Sequence, residues 1–289
     1  MFDKVEAFYR PASVREALRL LQSGKGRARV VAGGTDMVVE GGENIHVLID
    51  ITHAGLNYIK KRGSEWAIGA TTTMTELEES EALQQLAGGL LARAARSCGS
   101  PLIRNLATLG GNMAHASPAA DMATPLLVLD AAVVLADAKG RRKVPLGEYL
   151  VNARSSRYAK SLLVEIVIPD PPRGNGCRWS FQKLGRTAVD ISLVNVAAGL
   201  QIDARGKVKW ARIALGSVSP APMRAAGAEL QMAGRILDQA LLAEIAAEVA
   251  REVSPISDAR ASADYRRELC SVLSRRALEE CSAHAGCSI

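Results

Sequence analysis

Val14, Ala17, Leu18 and Leu21 recur at helical spacing behind Ser13 and Glu16, and the run stops at Gly24 and Gly26. A Ser followed three residues later by Glu is a capping box, so this stretch predicts the first helix. Thr73 and Glu76 form a second capping box, and residues 81–97 read as a helix weakened by Gly88 and Gly89. Short apolar runs bounded by turn residues predict strands at 29–32, 47–51, 65–70 and 131–137. The last of these turns through "AKGRR" into "KVPL", and "LLVEIVIP" (162–169) reads as an alternating strand. Residues 98–125, "CGSPLIRNLATLGGNMAHASPAADMATP", show no clear period.

"PDPPRGNG" (169–176) is the strongest linker signal, dense in Pro and Gly. It separates an expected first domain, 1–172, from a second, 177–289. In the second, "CRWSFQKLG", "SLVNVAAGLQID" and "KVKWARIALGSV" predict three antiparallel strands, the last two joined through "DARGK". Two helices follow. Leu237, Leu241, Ile245, Val249 and Val253 mark one; Tyr265, Leu269, Val272, Leu273 and Arg276 mark one side of the other. Strands and helices in this order predict the α+β class.

With 289 residues, 48% of them hydrophobic, the chain is long enough for two or three domains with their own cores. The formal charge is +6, but the basic residues are scattered and aromatics are only 4%, which speaks against nucleic acid as a partner. A solvated basic face, or one that docks a more acidic protein, fits better. The longest apolar stretch, "ATPLLVLDAAVVLA", is interrupted by Pro125 and Asp130 and is too short to span a bilayer. No basic segment followed by an apolar core opens the chain, so no signal peptide is expected. Five cysteines (Cys98, Cys177, Cys270, Cys281, Cys287) without close pairs point to reduced thiols and a cytoplasmic protein. There is no C-x-x-C, and His46, His53, His115 and His284 lack H-x-x-x-H spacing, so no metal site is expected.

Two turns carry the candidate chemistry. One is Ala32-Gly33-Gly34-Thr35-Asp36; the other is Thr108-Leu109-Gly110-Gly111-Asn112. Gly-Gly permits positive φ and leaves backbone N–H groups uncovered, and successive N–H groups form a concave nest suited to phosphate oxygens. Neither turn is a P-loop or a G-x-G-x-x-G fingerprint, so the pair reads either as tight structural turns or as two anion nests. Asp121 reads either as the cap of a helix starting near Thr124-Pro125 or as an acceptor for ligand donors. Lys183, in "FQKLGR", is either a solvated strand lysine or a cation over a ligand. No Ser-His-Asp set, activated Cys or carboxylate pair is present, so any reactivity is expected to come from a cofactor rather than from catalytic side chains.

"VVAGGTDM", "IGATTTMTEL", "IRNLATLGGNMAHASPAADMATPLLVLDA", "VEIVIP", "FQKLGR" and "ASADYRRELCSVLSRRALEE" follow one another along the chain. In this it resembles the FAD-binding medium subunit of the molybdenum hydroxylases, the group of xanthine, carbon monoxide, nicotine and quinoline dehydrogenases. The likeness covers about residues 2–282. It implies a vanillyl-alcohol-oxidase-type FAD domain in two subdomains, about 1–55 and 56–172, and an α+β C-terminal domain. It assigns Ala32, Gly33, Gly34, Thr35, Asp36, Thr108, Leu109, Gly110, Gly111 and Asn112 to the FAD diphosphate and its surroundings. Asp121 then bonds the cofactor, Leu163 packs in the flavin region and Lys183 approaches the flavin. Position 98 departs from xanthine dehydrogenases, which carry an aromatic there; this chain has Cys98. The resemblance further implies an iron–sulfur small subunit with 2Fe–2S clusters, a molybdopterin large subunit, a dimer of heterotrimers, and NAD, oxygen or a quinone as electron acceptor. Two other readings are a self-sufficient FAD-dependent oxidase or reductase and a non-catalytic phosphate-ligand or assembly module.

Overall fold

The computed structural model describes residues 2–42, 44–153, 155–172, 174 and 177–283. Cys287, His284 and the linker residues Arg173, Asn175 and Gly176 lie outside them.

The chain begins with β1 (Ala7–Tyr9), α1 (Val14–Ser23), β2 (Ala28–Val31), α2 (Met37–Glu40) and β3 (Val47–Asp50). Next come β4 (Ile59–Arg62), β5 (Glu65–Gly69), α3 (Met74–Glu79), α4 (Glu81–Gln85), α5 (Leu90–Arg96), α6 (Pro101–Arg104), α7 (Leu109–His115) and α8 (Ala123–Val128). Strands β6 (Ala132–Asp137) and β7 (Gly140–Pro145) form a hairpin before α9 (Leu146–Asn152) and β8 (Leu162–Pro169). The remainder is β9 (Cys177–Leu184), β10 (Val194–Ile202), β11 (Val208–Gly216), β12 (Met223–Arg224), α10 (Ala226–Met232), α11 (Gln239–Glu252) and α12 (Ala263–Ala283).

Contacts group these elements into two compact units. The first comprises Met1–Leu77, Ser100–Ala116 and Ala131–Asp170; the second comprises Glu78–Gly99, Ser117–Asp130 and Pro171–Ile289. The first unit holds a parallel sheet of order β1-β3-β2 and an antiparallel sheet of order β4-β5-β8-β6-β7. The second holds an antiparallel sheet of order β12-β11-β10-β9, as the α+β reading requires.

The Thr73 capping box forms in full; at Ser13 the cap bond forms, but Glu16 Oε2 accepts from Ala12 N at 3.0 Å rather than from Ser13 N. Ser13 Oγ accepts from Glu16 N at 3.2 Å, and Thr73 Oγ1 accepts from Glu76 N at 3.2 Å while Glu76 Oε2 accepts from Thr73 N at 2.7 Å. The expected helix over 81–97 is interrupted, as its glycines suggest. Ala87, Gly88 and Gly89 sit at φ 49°, 60° and 76°, the left-handed region that ends α4 before α5 starts.

Two expectations need correction. β8 does not alternate: Leu162 to Ile168 of this central strand are all buried, so both of its faces are covered. Its one charge, Glu165, is neutralised there, accepting from Tyr58 Oη at 2.7 Å and pairing with Arg62 at 2.8 Å. On α12 the buried side carries Arg266, Leu269, Cys270, Leu273, Ala277 and Leu278, whereas Tyr265, Val272 and Arg276 are exposed. The inward Arg266 donates to Leu193 O at 2.7 Å and to Asp258 Oδ1 at 2.8 Å, which satisfies a cation that hydrophobic patterning places outside.

Candidate cofactor-binding site

The first glycine turn leaves the end of β2. Its two glycines are required for different reasons. A Cβ on Gly33 would stand 1.8 Å from Leu106 O, so only glycine lets these main chains touch. Gly34 has φ +70°, with ordinary room for a side chain, so its need is conformational. The N–H groups of Gly33, Gly34 and Thr35 find no hydrogen-bond acceptor among the described residues. Three donors in a row are left without an internal acceptor, which is what an anion nest requires. Ala32 precedes them, and exposed Asp36 makes no side-chain cap to α2.

The second turn is built differently. Thr108 caps α7, its Oγ1 accepting from Gly111 N at 3.1 Å. Leu109 N donates to Thr72 O at 2.9 Å, Gly110 N to Ala70 O at 2.9 Å, and Asn112 N to Thr108 O at 2.9 Å. Its amides are therefore consumed within the chain, so this turn is not an open nest, and the unused amides are those of the first turn. Gly110 is glycine for fit: a Cβ would lie 2.5 Å from that of Ala70. What this turn offers outward is different. Gly111 is exposed, and a Cβ there would meet only Thr108 Oγ1, at 2.9 Å. Asn112 Oδ1 is buried without a hydrogen-bond partner among the described residues, which is costly unless something else serves it.

The two turns are neighbours in the first unit. Besides the Gly33–Leu106 contact, His115 at the end of α7 bonds Glu40 on α2 through Nε2 at 2.7 Å, with Nδ1 3.9 Å from Asp36. Helix α7 also packs against β8, whose Leu163 is buried opposite Leu135 of β6.

Asp121 and Lys183 meet in the second unit. Lys183 Nζ donates to Asp121 Oδ2 at 2.6 Å and to Ser97 O at 2.8 Å, with both side chains about nine-tenths buried. Asp121 does not cap α8: the residue at the cap is Met122, without a side-chain bond. Burial pushes the Asp121 carboxyl above its usual range, opposed by the Lys183 ammonium, the Ser192 hydroxyl and the Cys98 thiol. Asp121 Oδ1 lacks a hydrogen bond of good geometry among the described residues. Lys183 is thus half of a buried ion pair, neither a solvated lysine nor a lone cation.

Hydrophobic patterning missed the polar neighbours of this pair. Thr124, Ser192 and Asn195 are fully buried. The one available signal was Asn195 itself, a polar residue in the apolar run "LVNVAAGL".

Residues 2–171 match the family described as the FAD binding domain in molybdopterin dehydrogenase, and 179–281 match the CO dehydrogenase flavoprotein C-terminal domain. The chain is 32% identical to the xanthine dehydrogenase FAD-binding subunit of Escherichia coli O157:H7, over 99% of each chain. It is 31% identical to the carbon monoxide dehydrogenase medium chain of Afipia carboxidovorans, over 96% of this chain and 97% of that one. Among solved structures it superposes on carbon monoxide dehydrogenase from Hydrogenophaga pseudoflava with a TM-score of 0.91 and 29% identity, covering 98% of this chain and 99% of the other. With these likenesses running through both halves, the chain belongs to the family of FAD-binding medium subunits of the molybdopterin dehydrogenases.

Proposed function

We propose that this chain is the FAD-carrying electron-transfer subunit of a heteromeric molybdenum hydroxylase. It works between the 2Fe–2S clusters of a small subunit and an external acceptor, with molybdopterin on a large subunit, in a dimer of heterotrimers. The observation that carries the reading is the row of unused N–H groups on Gly33, Gly34 and Thr35, which suits the oxygens of a diphosphate. Ala32 to Asp36 would hold the diphosphate from one side. The second turn, Thr108 to Asn112, would add the Thr108 hydroxyl and the Asn112 side chain, with bare Gly111 allowing close approach. Asp121, Leu163 and Lys183 are assigned to the same cofactor through the family resemblance, Asp121 and Lys183 acting as a pair.

FAD, when bound, supplies a centre able to take up electrons singly and release them in pairs. The chain's own part is to bind and orient. The side chains around the two turns form no nucleophile–base set. Residues 1–172, divided near 55, form the FAD-binding domain in this reading and 177–289 the second domain, which the family matches at 2–171 and 179–281 support. No described helix is long and apolar enough to cross a membrane, and we place the protein in the cytoplasm. The test is direct. The purified full chain, reconstituted with FAD, should show flavin absorption bands at one FAD per chain, bleached by reduced partner subunits and left unchanged by hydroxylase substrate alone. A chain that stays colourless with excess FAD overturns the proposal.

A further inference from the structure

Asn195 lies at the centre of a row across the second unit's sheet. In register it stands opposite Lys183 on β9 and opposite Gly216 on β11. Gly216 makes room for it: a Cβ there would lie 2.7 Å from both Asn195 Nδ2 and Oδ1. The carboxamide is fully buried, with both of its polar atoms hydrogen-bonded. Its Oδ1 accepts from Thr124 Oγ1 at 2.7 Å, and its Nδ2 donates to Ser192 Oγ at 2.8 Å.

These partners reach the chain on both sides of Asp121. Thr124 follows it by three residues. Ser192 Oγ contacts Ala119 O at 3.4 Å and Ser217 Oγ at 3.2 Å, and Ser217 N donates to Pro118 O at 2.7 Å. The segment 118–124 is therefore clamped at each end to a polar cluster centred on the residue beside Lys183. A buried network of this kind is expensive unless every member is satisfied, and once satisfied it fixes one geometry. An apolar residue at position 195 would fill the same space without fixing anything.

We propose that Thr124, Asn195 and Ser192 are positioning residues that hold the Asp121 carboxylate on Lys183 in the orientation the cofactor requires. This rests on the reading of Asp121 as a cofactor contact. The substitutions Thr124→Val and Thr124→Ser separate hydrogen bonding from packing. Valine keeps the shape and removes the hydroxyl; serine keeps the hydroxyl and removes a buried methyl. In fluorescence titrations of the apo full chain with FAD, Thr124→Val should raise the dissociation constant about tenfold and shift the visible flavin band. Thr124→Ser should stay within about twofold of the parent while melting lower as the apo-protein, since it leaves a methyl-sized void in the core. Equal weakening by the two variants would overturn the proposal, because the effect would then be packing. Should Thr124→Val fail to fold, Ser192→Ala reads the same network, with the same tenfold loss expected; unchanged affinity there would overturn it. Asp121→Asn, titrated in parallel, tests the underlying reading. If it binds FAD like the parent, the assignment of Asp121 is what fails; if it loses FAD while the network variants do not, the positioning role fails.

Discussion

The substitution Gly111→Val separates a glycine that the fold needs from one that a ligand needs. Gly111 is the third residue of α7, exposed, and a Cβ there meets only the Thr108 hydroxyl, at 2.9 Å. Relative to glycine, valine in a helix gains about 0.5 kcal/mol in propensity. Pushing aside the Thr108 cap costs about 1 kcal/mol. The apo-protein should therefore lose less than about 1 kcal/mol. If a diphosphate passes over this residue, the branched side chain removes one or two charge-assisted hydrogen bonds, about 1.5–3 kcal/mol each. FAD affinity should then fall by roughly 10- to 150-fold for each bond lost. Gly33→Ala is the contrast. Its Cβ would drive into the Leu106 carbonyl at 1.8 Å, and since both partners are main chain neither has a rotamer to move. Overpacking of this kind costs about 1–3 kcal/mol, so this variant should melt lower without any ligand present. The assay pairs thermal unfolding of the apo chain, followed by circular dichroism, with FAD titration. Parent-like FAD affinity in Gly111→Val would refute the reasoning. So would a drop in its apo stability as large as that of Gly33→Ala.

Two further outcomes follow from buried groups. Removing either charge of the Asp121–Lys183 pair strands the other, so Asp121→Asn or Lys183→Met alone should cost the apo-protein about 3–5 kcal/mol. The double variant should recover most of that in thermal melts and still fail to bind FAD tightly; recovered binding would exclude a cofactor role for the pair. Tyr149 is held neutral up to about pH 12, first by burial and then by the nearby Tyr158 phenol. Because the folded pKa lies above the usual value of about 10, its contribution to stability is complete below pH 10 and is lost as pH rises through 12. Tyr149→Phe should accordingly move alkaline unfolding, followed by circular dichroism, to higher pH; an unchanged midpoint would show that another group controls it.

Much of this architecture could be read from local pattern, and the exceptions have identifiable causes. The Ser13 and Thr73 helix caps and the β6–β7 hairpin announce themselves because each is decided by a few adjacent residues. Helices α6 and α7 do not, because four and seven residues give too few turns for a 3.6-residue period to emerge, and α8 shows only its start, at Thr124-Pro125. β8 was misread because burial on both faces erases alternation, and the buried face of α12 because an inward arginine is invisible to hydrophobic patterning. The site was partly legible. Diglycine marks both turns, but which amides remain unused depends on Ala70, Thr72 and Thr108, brought up by the fold to serve the second turn and not the first. The pairing of Lys183 with Asp121, 62 residues apart, is a product of tertiary packing, the turn before α8 meeting strand β9, and could not be seen from either residue alone.

Where Gly33 rests on the carbonyl of Leu106, two stretches of backbone abut with no side chain between them. The gap separating the bends is consequently gauged by peptide atoms, which every amino acid shares. A side chain at Gly33 would wedge the bends apart against rigid main chain, and nothing is left to trim that would bring them closer. Refitting this scaffold for a different nucleotide thus calls for adding or deleting residues in the loops, since point substitutions at this contact only strain it.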